Sequence, residues 1–180
     1  MESAVKEEAL RMAESASIDL LEEKKPLSEI LASCKTIAKL LRISDVTSWI
    51  DLEINGYLVR YKTRDQLSVA LPSYRKTDWK FYDLYGNLLS LPPDIVGLFG
   101  KSVVYHPVSE LENSSQIVVG DKLLDDFNKF ISTHGMDYAS KNVRIHEAKI
   151  SKMEIGQVLE GIKKKVHEFL DMVIAMLEPA

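Results

Sequence analysis

In the stretch WIDLEINGY, Trp49 to Tyr57, one carboxylate stands among apolar neighbours. Projected at about 100° per residue, Val46, Trp49, Ile50 and Tyr57 share a helical face, and Glu53 falls near its middle. Burying a carboxylate alone costs several kcal/mol, so Glu53 requires hydrogen bonds or a cation. Arg75, in LPSYRK, is the preferred donor. Guanidinium offers a planar fork, and its place after a polar connection suits a long-range clamp. The hydroxyls of Tyr57 and Tyr74 can complete the cluster. Two chemistries fit this set. In the first, Glu53 pins two distant parts of the fold. In the second, the same groups line a pocket for a small molecule or nucleotide, with Arg75 reading an anion. Ion-pair networks perturb carboxylates as sites do, and the structural reading is preferred.

Other reactive side chains carry weaker signals. Cys34 lies on the apolar stripe of its helix, where a thiol packs as a small hydrophobe. His106, His134, His146 and His167 are scattered, and none has a second His or Cys at metal-ligand spacing. His134 falls near the end of a helix, where an imidazolium meets the helix dipole. Asp125 and Asp126 read as a solvated face, and Lys163, Lys164 and Lys165 as a solubilising run, the last two flanking the polar face. Trp79, Phe81, Tyr82 and Tyr85 could stack bases, but aromatics in strands usually form half-buried cross-strand pairs. Walker-type loops, GxGxxG, HExxH and CxxC are absent from the sequence.

Composition limits the function classes. The 180 residues suit one domain with a sizeable core, 46% hydrophobic and 28% charged. A net charge of −4 gives no global attraction to nucleic acid or anionic membrane. The single cysteine excludes an internal disulfide and points to a reducing cytoplasm. No apolar run approaches the roughly 20 residues that span a bilayer, and nothing near Met1 resembles a signal peptide.

The elements that must position these residues are legible from periodicity. A first helix is expected over about residues 3–21, with a weak stripe of Val5, Ala9, Met12, Ala16 and Leu20. Pro26 opens a second, stronger helix through Leu41. Ser44 is the expected N-cap of a third helix that carries the opening motif, loosened at Gly56. Residues 62–73 read as a surface connection. A strand or hairpin is expected from Trp79 to Tyr85 with a turn at Gly86-Asn87, then a short helix from Pro93 to Phe99. Strands are expected at Lys101–Val108, Gln116–Val119 and Val143–Ile150, with a helical turn at SELEN. Asp121 is the expected N-cap of a helix stopped by Gly135. Ser151 and Glu154 form a capping box for the closing helix, whose stripe runs from Ile155 to Leu177 and which Pro179 ends.

The opening motif also carries a resemblance. A helix ending in W-[IV]-x-x-E-[LI]-N-G-Y, then [LP]-P-x-Y-R after a polar stretch, resembles the AbiTii domain of bacterial abortive-infection systems. Here it appears as Trp49, Glu53, Asn55, Gly56 and Tyr57, then Pro72, Tyr74 and Arg75. PLSEILASCKTIAKLL, VSELENSS and IKKKVHEFLDMVIAMLEP resemble further segments of that family, so the likeness covers about residues 10–178. Ser33, Cys34 and Lys35 stand where an Arg-Lys pair is usual, and lysines replace arginines in the last helix. The resemblance implies phage defence, with no catalytic residue to carry over. It fits a domain standing alone or at the N-terminus of a longer protein.

The resulting expectation is one domain over residues 1–180, α+β and mostly helical. An N-terminal helical bundle and a long C-terminal helix pack with a small, mainly antiparallel sheet. The expected function is a non-enzymatic interaction or assembly module, cytoplasmic, without cofactor or metal, binding a protein partner or a copy of itself. The alternatives are a toxin or nucleotide-responsive effector with a pocket near Glu53 and Arg75, and a small nucleic-acid-binding domain.

Overall fold

Every apolar position of the second-helix stripe from Leu27 to Ala38 is buried, and this helix organises the helical part of the protein. The computed structural model describes residues 2–134 and 143–178. The expected stops at Gly135 and Pro179 lie outside them. Among the described residues the chain is mostly helical, with two small antiparallel sheets. It divides into two compact units.

The first unit comprises Met1–Arg75, Tyr105–Asn113 and Gln157–Ala180. It holds α1 (Glu2–Leu21), α2 (Leu27–Leu40), α3 (Ser44–Asn55), α4 (Arg64–Ala70) and α6 (Val108–Asn113). Helix α2 packs against α1, α3 and α6. Small residues on α1, Ala9, Ala13 and Ala16, are buried, with Leu20 completing the stripe. The α2–α3 link is short because Arg42 adopts a positive φ of 58° and the Ile43 amide bonds back to the Ala38 carbonyl at 2.9 Å. Ile43 therefore takes the N-cap position, and the expected cap Ser44 is the first helical residue. The expected surface connection over 62–73 instead contains α4. Its start is a capping box in which Thr63 Oγ1 accepts from the Gln66 amide at 3.2 Å and Gln66 Oε1 accepts from the Thr63 amide at 3.3 Å. The part of the closing helix α8 (Lys152–Leu177) beyond Gly156 also lies in this unit, burying Val158, Ile162, Val166, Phe169, Leu170 and Val173.

The second unit comprises Lys76–Val104 and Ser114–Gly156. Strands β2 (Lys80–Tyr82), β5 (Glu147–Ser151) and β4 (Gln116–Val118) form one sheet, with β5 central. Phe81 pairs with Ala148, and Ile117 with Ile150. The long strand expected over 101–108 shortens to β3 (Ser102–Val103), paired with β1 (Lys76–Thr77). Pro107 cannot donate to a ladder, which fits an early end. Helices α5 (Pro93–Phe99) and α7 (Asp121–His134) supply Phe99, Phe127 and Ile131 to a core closed by Phe81 and Ile145. Phe81 meets Phe127 edge-on at 5.6 Å between ring centres. Asp121 is the first residue of α7 rather than its cap; the Gly120 carbonyl accepts the Leu123 amide at 3.1 Å. At the start of α8 the Glu154 carboxylate accepts from the Ser151 amide at 2.9 Å and also from its hydroxyl. Half of the expected capping box is thus present. No helix among the described residues is long and apolar enough to cross a membrane.

Candidate functional site

Helix α3 ends at Asn55, and Gly56 lets the chain turn with a φ of 79°. A Cβ here would also lie 2.9 Å from Pro107 Cδ and 3.0 Å from the Tyr105 carbonyl oxygen. Close approach of the backbones allows the Tyr57 amide to donate to the Tyr105 carbonyl at 2.8 Å. Tyr57 then opens a 3-10 turn, Tyr57–Val59, beyond the helix rather than within it. A second such turn, Ser73–Arg75, is closed by the Arg75 amide on the Pro72 carbonyl at 3.0 Å.

These turns bring four of the expected residues together. Glu53 and Arg75 each have 0% of their side-chain surface exposed. Arg75 Nε donates to Glu53 Oε2 at 3.0 Å, and Nη2 reaches the same oxygen. Glu53 Oε1 accepts from the Tyr57 and Tyr74 hydroxyls, each at 2.8 Å. Arg75 Nη1 donates to the His106 carbonyl at 2.8 Å, and its guanidinium carbon lies 5.0 Å from the centre of the Tyr57 ring. Four donors on one carboxylate are the pattern of an ionised acceptor. Burial, and then the charge of Glu53, push both tyrosine phenols above their usual range, so they remain donors.

Around this cluster the structure adds residues that the motif did not reveal. Gly161 of α8 receives the base of Tyr74: a Cβ there would lie 2.8 Å from Tyr74 Cγ. Its signal was a glycine inside the most regular stripe of the chain. Lys165, expected on a solvated face, instead holds its Nζ 4.4 Å from the Trp49 ring centre and 6.0 Å from that of Tyr74. Burial lowers its pKa against the opposing pull of Glu53. The His106 carbonyl had no signal in sequence. Its imidazole is pushed below the usual histidine range, chiefly by burial. Asn55 is exposed and bonds the Asp51 carbonyl through Nδ2 at 2.9 Å.

The remaining candidates lie elsewhere. Cys34 is buried, and burial pushes its thiol up to about 12, which removes it as a nucleophile at neutral pH. His134 lies at the end of α7, with Nδ1 3.3 Å from the Phe130 carbonyl oxygen. Trp79 and Phe81 belong to the second core, whereas Tyr85 is exposed. Lys163 pairs with Glu23 at 2.7 Å. Among the described residues no group of His, Cys, Asp or Glu is arranged to hold a metal ion.

A model of the AbiTii family matches residues 14–175. No curated protein and no solved structure matches the chain.

Proposed function

We propose that this chain, which belongs to the AbiTii family and so to the abortive-infection proteins of phage defence, is a non-enzymatic interaction module. It works in the cytoplasm by binding a protein partner or another copy of itself. The observation that supports this reading is the state of Glu53 and Arg75. Both are fully buried, and the bonds described above run to the protein's own groups. The motif that carries the resemblance thereby holds α3, the turn at Arg75 and the Tyr105–Pro107 segment together. Its charged groups face no solvent.

The test is expression of wild type and Arg75→Ala during phage challenge, with a thermal melt of each purified protein. Arg75→Ala leaves a carboxylate buried without its cation, a loss of about 3–5 kcal/mol. Melting temperature and protection are expected to fall together. A variant that melts like wild type yet gives no protection would transfer the role to a ligand pocket at this cluster.

A further inference from the structure

We propose that a cleft beside α3 binds the C-terminal end of a partner polypeptide, taking its carboxylate and an aliphatic last side chain. This rests on the interaction-module reading and names the chemistry that recognises the partner. The cleft, of about 310 Å³, is shared by α2, α3 and the turn that follows Gly56. Helix α3 lines it with Ser48, Asp51, Leu52 and Asn55. These share one helical face, opposite the face that buries Ile50 and Glu53. The clamp thus uses one side of α3, and the cleft uses the other. The clamp also places Arg60 at the cleft. Its amide donates to the carbonyl of Tyr57 at 3.2 Å, and the hydroxyl of Tyr57 is held by Glu53.

Each lining group has a use for such an end. Among the described residues, the contacts of the exposed Arg60 guanidinium are the Ser48 hydroxyl, reached by Nη1 at 3.5 Å, and the Tyr61 ring, centred 5.8 Å from its carbon. Neither is an anion, so the planar fork is open to a carboxylate. Lys35 of α2 meets Asp51 at 2.5 Å, so those two charges answer each other. The lining as a whole is singly positive. A carboxylate neutralises it, whereas a phosphate dianion brings surplus negative charge beside Asp51. Leu52 and Val59, the latter 59% exposed, form an apolar wall for an aliphatic side chain. Asn55 spends Nδ2 on the Asp51 carbonyl at 2.9 Å, which leaves Oδ1 to accept from a peptide N–H. A free acid without a peptide group leaves that acceptor unused.

The experiment is a chemical-shift titration of the full chain, followed by NMR, with N-acetylleucine as the probe. This molecule carries a carboxylate, an aliphatic side chain and one peptide group. N-acetylleucinamide, isocaproate and inorganic phosphate are titrated beside it; they remove the charge, remove the peptide group and replace the carboxylate. Wild type is expected to saturate with N-acetylleucine at a Kd on the order of 1 mM. Arg60→Gln removes the guanidinium, and Val59→Glu sets a carboxylate on the apolar wall. Both should melt like wild type and bind at least about tenfold more weakly. Lys164→Gln, at an exposed lysine outside the cleft, should bind as wild type does. Failure of wild type to saturate overturns the proposal, as does undiminished binding by Arg60→Gln and Val59→Glu. Equal binding of the amide or of isocaproate, or tighter binding of phosphate, also overturns it. Those results leave the module reading standing. Arg75→Ala that melts normally without protecting sinks the module reading whatever binds in the cleft.

Discussion

Gly161 and Tyr74 touch so closely that a Cβ on the glycine would lie 2.8 Å from Tyr74 Cγ, and nearer still to Tyr74 Cβ. Helix α8 forgoes a side chain at this point, and the space is taken by the residue whose hydroxyl bonds Glu53 at 2.8 Å. The cluster is thus built from side chains on α3 and the following turns, and from a gap on α8.

Gly161→Ala should therefore destabilise, although alanine favours helices by about 1 kcal/mol over glycine. The clash falls on the root of Tyr74, which cannot swing aside, and overpacking costs about 1–3 kcal/mol. Urea denaturation is expected to show a net loss. A gain would mean that the helix and Tyr74 separate freely.

Tyr57→Phe and Tyr74→Phe each remove one of the two hydroxyl donors on Glu53 Oε1. A buried charged acceptor that loses a donor costs about 1.5–3 kcal/mol. Because both share one oxygen, the double variant should depart from the sum of the singles. Additive losses would show that the hydroxyls act independently.

Alkaline pH should weaken the fold through the same tyrosines. Both phenols are held above their ordinary value of 10.0, burial being the first cause and the Glu53 charge the next. Below about pH 10 folded and unfolded chains both keep these protons, and the contribution is complete. Above it the unfolded chain releases them first, so stability falls as pH rises towards the folded values. Melting temperature against pH is expected to decline less steeply for Tyr57→Phe and Tyr74→Phe. Parallel declines would contradict the assignment.

Much of this was readable in sequence, for identifiable reasons. The stripe from Leu27 to Ala38 and that of α8 are long and regular, so periodicity placed their buried faces. Glu53 could be paired with Arg75 because a carboxylate in an apolar stripe has few physical remedies. Helix α4 leaves no apolar stripe in the sequence because, of its residues, only Leu67 is buried; the Thr63-x-x-Gln66 box is its legible sign. β1 and β3 are two residues each, too short for alternation to register. The place of Lys165 is not legible in a helical projection, which ignores the reach of a long side chain that lays its ammonium over Trp49. The His106 carbonyl is a backbone group, and no residue type encodes it.

The claim that Glu53 and Arg75 form a structural clamp is tested most directly by a double-mutant cycle in urea: Glu53→Leu, Arg75→Leu and the double variant. Each single variant should lose about 3–5 kcal/mol, because it leaves one polar partner buried alone. The double variant should be far less damaged than the sum, because no uncompensated charge remains. Single variants within about 0.5 kcal/mol of wild type, the range of ordinary surface substitutions, would contradict the account.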